Sequence, residues 1–159
     1  MPQLVKGGKY IFGWTRLNHD LSIRVPDEAF DEYHFKDTDK LIIMSGSKSS
    51  GGFSIAAPGS IINSKMSEKI IQLTGYNQES GSFTVYQFEI IPLGKRFFSW
   101  TLLDKEKYFK LSGGLINLMN LEMGHKLLVG RGSGIGPAFI AKGIIYQEAV
   151  THRDLPEFN

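Results

Sequence analysis

The stretches Lys9-Tyr10-Ile11-Phe12-Gly13-Trp14-Thr15-Arg16-Leu17 and Lys95-Arg96-Phe97-Phe98-Ser99-Trp100-Thr101-Leu102-Leu103 lie 86 residues apart and set the only two tryptophans of the chain at matching places. Extending the match outward without a gap lays residues 8–57 over residues 94–143. Gly8, Lys40, Leu41, Gly46, Ser47 and Phe53 then fall on Gly94, Lys126, Leu127, Gly132, Ser133 and Phe139. In all, 11 of 50 positions are identical, where ordinary residue frequencies give about 3. Class matches such as Ile23/Phe109, Arg24/Lys110, Val25/Leu111 and Ile43/Val129 fill the intervals. The reading is a tandem duplication.

Each copy has the same grammar. Lys9 to Leu17 and Lys95 to Leu103 are rich in aromatic and β-branched residues, as strands are. Asn18-His19-Asp20 and Asp104-Lys105-Glu106 are polar turns. Short alternating strands follow, Leu21 to Val25 and Lys107 to Leu111. Next comes a short helix. In the first copy Pro26 suits its first position, Asp27 and Glu28 favour its positive end, and Ala29, Phe30 and Tyr33 form its apolar stripe. In the second, Ser112 is the cap and Leu115, Ile116 and Met119 the stripe. Apolar strands Lys40 to Met44 and Lys126 to Val129 then run into glycine-rich segments and a last strand around Phe53 or Phe139. The unit is β-β-α-β-β.

The expected organisation is a first repeat over residues 1–57, an inserted loop and β-hairpin over 58–93, a second repeat over 94–150 and a flexible tail over 151–159. Within the insert, Lys69 to Thr74 and Phe83 to Ile91 read as strands about the turn-forming Gly75 to Gly81. An open sheet edge at 83–91 would invite pairing with a second copy. The equivalent tryptophans are expected to share one core.

Composition narrows the classes. The 159 residues are 42% hydrophobic and 21% charged, which suits one compact unit and excludes a long multidomain enzyme. The absence of cysteine excludes disulfides, thiolate metal sites and a cysteine nucleophile. No run approaches the ~20 apolar residues of a membrane span, and the first residues lack a signal-peptide pattern. These features read as a soluble, cytoplasmic protein. The formal net charge is only +2, but it is unevenly divided. Residues 8–57 hold six Lys plus Arg against seven Asp plus Glu, and residues 94–143 hold eight against three. The second half is therefore the face expected to meet an anionic partner.

Leu21-Ser22-Ile23-Arg24-Val25-Pro26, the short acidic helix, Phe35 and Asp39-Lys40-Leu41-Ile42-Ile43 resemble the AbrB-like, swapped-hairpin family of DNA-binding proteins. Thr38-Asp39-Lys40-Leu41 and Gly124-His125-Lys126-Leu127 stand where that family has its G-D-x-L segment. Family members interleave two such units, so the resemblance implies a mainly β, pseudo-twofold barrel, AbrB-like or double-psi-like, formed by both repeats within one chain, with the β-hairpin inserted between them. It also implies a DNA-binding, transcription-regulator-like role, with duplex DNA as partner. The resemblance puts the phosphate- and base-contacting cations at Arg16, Arg24, Lys105, Lys107 and Lys110, and Arg131 joins them from the glycine-rich segment. The sequence departs from the pattern in its longer glycine-rich hairpins, in Ser112 standing for Pro26, and in residues 58–93.

A second reading starts from those hairpins. Gly130 to Pro137 alternates glycine with other residues, and Ser45 to Gly52 adds a lysine and hydroxyls, which are the ingredients of an anion nest. Gly46, Ser47, Lys48, Gly132, Ser133 and Gly134 would then hold a small anionic or phosphate-bearing molecule. Neither segment matches a nucleotide fingerprint. His19, His34, His125 and His152 are too scattered for a metal site. Asp27 with Glu28, Asp31 with Glu32 and Asp37 with Asp39 read as solubilising carboxylates. No G-x-S-x-G elbow is present. The sequence nominates no catalytic residue, metal or cofactor.

Overall fold

The computed structural model describes residues 10–47, 49, 51–65, 67–132 and 134–159. Nine strands, five short α-helices and one 3-10 turn at Phe35–Asp37 are laid out along them. β1 (Ile11–Arg16), β2 (Ser22–Arg24), α1 (Asp27–Glu32), β3 (Lys40–Ser45), β4 (Phe53–Ala56) and α2 (Pro58–Ile62) form the first half. After α3 (Ser67–Thr74) and β5 (Ile91–Leu93), the second half repeats the order: β6 (Arg96–Leu102), β7 (Tyr108–Lys110), α4 (Gly113–Leu118), β8 (Lys126–Arg131), β9 (Pro137–Ile140) and α5 (Ile144–Val150). The protein is mainly β. Its principal sheet is antiparallel, in the order β1-β8-β9-β4-β3-β6-β5, and β2 pairs separately with β7. Among the described residues these strands form no closed barrel.

The duplication is visible in the pairing registers. β1 pairs not within its own half but with β8, setting Trp14 against Leu128, Thr15 against Leu127 and Arg16 against Lys126. The same exchange, 86 residues displaced, joins β6 to β3, with Trp100 against Ile42, Thr101 against Leu41 and Leu102 against Lys40. β2 and β7 meet at Ile23 and Phe109, again one offset apart. Even unusual backbone repeats: Leu21 and Lys107 have φ of 71° and 74°, and His34 and Asn120 have 57° and 54°. The hydroxyls of buried Thr15 and Thr101 donate to the carbonyls of Arg24 and Lys110, both at near 2.8–2.9 Å, tying each first strand to its second.

Two irregularities shift that match at its ends. A bulge at Phe12-Gly13 in β1 has no counterpart in β6, so Ile11 and Phe98, not Phe12 and Phe98, take corresponding places. The connection from β3 to β4 is also two residues longer than that from β8 to β9, because Ser45 pairs with Phe53 whereas Arg131 pairs with Pro137. Beyond it the halves correspond at an offset of 84, and Ile55 rather than Phe53 matches Phe139.

Three apolar clusters hold the molecule. The principal one takes Phe12, Leu41, Ile43, Leu127 and Val129 from the inner sheet face and Ala29 and Leu115 from α1 and α4. The outer face carries two more, one around Ile11, Trp14, Leu128 and Ile140, the other around Ile42, Met44, Ala56 and Phe98. Burial on both faces explains why β3 and β8 are continuous apolar runs. The tryptophans do not share a core. Trp14 packs edge-on against Tyr146 of α5, while Trp100 stacks on Phe83 and donates its indole N–H to the Val85 carbonyl. They occupy matching registers on the outer face, under different covers.

The middle segment differs from the expected hairpin. Lys69 to Thr74 belongs to α3, which buries Ile70 and Thr74 four residues apart. That spacing puts both on one helical face, and the Thr74 hydroxyl donates to the Ile70 carbonyl. Residues 83–90 join no ladder; the strand is β5, turning into β6 through Gly94 and Lys95. The tail, expected to fray, runs beside β1. Trp14 N–H donates to the Pro156 carbonyl and Phe158 N–H to that of Trp14, Glu157 pairs with Lys126, and Leu155 is buried. Pro26 stands at the N-cap position just outside α1, not at its first helical position, and makes no side-chain cap, whereas Ser112 caps α4 as expected, accepting from Leu115 N–H. α5, not anticipated, closes the second half.

Candidate functional site

The six cations expected to meet DNA are largely engaged within the protein. Arg24 and Lys107 converge on one Asp27 oxygen at 2.9 and 2.8 Å. Their side chains also lie over the rings of Phe158 and Phe30. The Lys107 hydrogen bond, reinforced by Arg24, holds the Asp27 carboxyl below its ordinary range. Arg131 grips Glu32 through two hydrogen bonds of 2.9 and 2.6 Å and lies over the Tyr10 ring. Arg16 donates to the Gly124 carbonyl. Lys105 and Lys110 are exposed. Lys110 borders a cleft of about 1080 Å³ whose other charged neighbours include Asp20, Asp39, Asp104 and Glu106. Asp20 and Asp104 secure turns there, by accepting from Ser22 and from the N–H groups of Glu106 and Tyr108.

The glycine-rich hairpin between β3 and β4 has a different environment. Gly46 N–H donates to the Gly52 carbonyl and Gly51 N–H to that of Ser47, so these amides close the turn instead of pointing outward. The turn is pressed against β9. A Cβ on Gly52 would stand 1.6 Å from the Phe139 carbonyl oxygen, and one on Gly51, at φ +67°, would meet the Lys142 stem. Only glycine permits that approach.

Clefts of about 760 and 550 Å³ flank this hairpin, sharing Ser45, Gly46, Ser47 and Lys142. The larger adds Arg96 and hydroxyls of Ser49 and Ser54; the smaller adds Lys95, Asn120 and His125. Neither is lined, among the described residues, by a carboxylate. Among the described residues, Lys95, Arg96 and Lys142 form no ion pair. His125 Nε2 lies 3.1 Å from the Ala141 carbonyl oxygen, fixing its ring at the edge of the smaller cleft.

Of the alternative ligand residues, Gly46 and Ser47 therefore border both clefts, and Gly132 borders the larger. Gly132 and Gly134 also border a smaller hollow of about 310 Å³ with Glu32, His34 and Arg131. Lys48 and Ser133 lie outside the described residues. Sequence reasoning missed Lys95, Arg96 and Lys142. Their only signal was the positive balance of the second half, since β-pairing alone brings the 94–96 turn and the end of β9 to the first hairpin.

Among the described residues no group of His, Asp and Glu side chains is arranged to hold a metal ion, and no helix is long and apolar enough to cross a membrane. No family model matches the chain, and no curated protein matches it.

Proposed function

We propose that this protein is a small-molecule binding module that holds an anionic or phosphate-bearing ligand at the hairpin joining β3 and β4. The observation that carries the reading is the pair of clefts furnished with Lys95, Arg96 and Lys142 and lined, among the described residues, by no carboxylate. Unneutralised cations beside hydroxyls in a concave site recognise phosphate or carboxylate groups. The cleft volumes suit a small molecule.

The exchange of first strands between halves supports an AbrB-like pseudo-twofold barrel as the finer description of the fold, and through that resemblance keeps duplex DNA as the rival partner. Neutralisation of Arg24, Lys107 and Arg131 by Asp27 and Glu32 counts against it.

Thermal unfolding and calorimetric titration with inorganic pyrophosphate, alongside a mixed-sequence duplex at several salt concentrations, separate the two. Pyrophosphate at 100 times its dissociation constant should stabilise the fold by about 2.7 kcal/mol. Lys142→Ala should weaken binding about tenfold. Duplex binding that weakens steeply with salt, without any response to pyrophosphate, would overturn this function in favour of DNA.

A further inference from the structure

We infer that the ligand of the first-hairpin site is an amphiphilic anion, a phosphate- or carboxylate-headed molecule whose apolar body lies along the outer face of the sheet. This deepens the function proposed above and rests on it. The outer face is roofed on both flanks: α5 and the tail cover Trp14 and Leu128, and α2, α3 and Phe83 cover Ile42 and Phe98. Ala56 of β4 and Ile140 of β9 are buried under these roofs, and between them Ser54 and Ala138, paired with each other, stay partly exposed. Two small side chains between bulkier rows leave a trench, and the larger cleft occupies it.

The trench combines polar and apolar walls. Lys142, Arg96 and the serine hydroxyls line it together with Met44, Ile135, Ile140, Ile144 and Ile145. Ile144 is 87% exposed at this wall. A bare inorganic anion would satisfy the cations and leave the apolar wall in water. A molecule with an apolar body removes that surface from water as well.

The test is a calorimetric series of inorganic phosphate, butyl phosphate and octyl phosphate, each below its aggregation concentration. Affinity should rise with chain length by up to about fourfold per buried methylene. Ala138→Leu, which fills the trench floor without touching the cations or hydroxyls, should abolish that increment while phosphate affinity stays. Ile144→Ser, at an exposed position where folding is not at stake, should reduce it. Equal affinity for phosphate and octyl phosphate would overturn the amphiphile and leave the hairpin reading standing. No response to any of the three would remove both. Cosedimentation with vesicles containing phosphatidic acid, without binding of soluble octyl phosphate, would overturn the inference by assigning the site to a lipid surface.

Discussion

The two hairpin clefts sit in matching backbone but carry opposite chemistry. Beside the second hairpin, Arg131 is held by Glu32 over the Tyr10 ring, and the Tyr10 hydroxyl is tied to Glu28. At the matching places beside the first hairpin stand Ser45, Leu118, Phe97 and Gly114. Every charged member of the latch is absent there, and Lys142 follows β9 where Pro58 follows β4. The hollow beside the second hairpin is correspondingly small, about 310 Å³ against 550 Å³ for its counterpart. The repeated scaffold thus forms two equivalent clefts, and the side chains neutralise one while leaving the other cationic.

The backbone half of that comparison can be broken most severely at the glycines. Gly136 meets the Ile55 carbonyl oxygen as Gly52 meets that of Phe139, and a Cβ added at either would stand only 1.7 or 1.6 Å from it. Gly52→Ala and Gly136→Ala should each destabilise by about 3 kcal/mol in urea unfolding. If one were tolerated, the hairpins would not be equivalent. The side-chain half is sharpened by exchanging the latch. Leu118→Glu should weaken pyrophosphate binding about tenfold, since it places a carboxylate in the cleft that holds Lys95 and Lys142. Glu32→Leu should release Arg131 and raise the calorimetric stoichiometry from one anion to two. An unchanged titration in both variants would detach binding from the hairpins.

The parts of this comparison that were legible in the sequence are those fixed by local pattern. Trp14 and Trp100, with the threonines after them, mark corresponding strands because both faces of each strand need large or branched side chains. Ser112 announces a helix start through capping chemistry. The ungapped match overreached at Phe12 and Phe53, where a bulge and a longer loop change the register without erasing the identity of the residue. Lys69 to Thr74 misled because its branched residues suit a strand, and only the burial of Ile70 and Thr74 four apart reveals a helix. Asp27 and Glu32 read as solubilising helix charges, since nothing local says that Lys107 and Arg131, from the other half, will reach them. The cationic site was hidden for the same reason.

A smaller contrast lies where β1 bulges. Gly13, at φ +144°, leaves room for the Pro156 carbonyl, which would be 2.5 Å from an added Cβ. In β6 the corresponding region is regular and carries Ser99, whose buried hydroxyl has no hydrogen-bond partner among the described residues. Removing an unsatisfied buried hydroxyl relieves its desolvation cost. Ser99→Ala should therefore raise stability by about 1 kcal/mol in urea unfolding, whereas Gly13→Ala should lower it by loosening the tail. A destabilised Ser99→Ala would mean that the hydroxyl has a role in the fold.

The weakest effect on stability is the pH dependence of the latch itself. The hydrogen bond from Arg131 holds the Glu32 carboxyl below its ordinary value, outweighing the opposing effect of burial. A carboxyl whose folded pKa is depressed contributes stability that is fully present above its unfolded pKa and is lost as pH falls through the folded one. The ion pair is partly exposed, so the difference in melting temperature between the native chain and Glu32→Gln should be small at neutral pH. It should vanish once acid has protonated Glu32. Leu118 has no proton to gain at the matching place, so the first cleft keeps its cations throughout this range. Anion titrations should consequently detect a second, weaker site only at acid pH, as Arg131 loses its carboxylate. A second site of equal strength at neutral pH would show that the ion pair does not close the cleft.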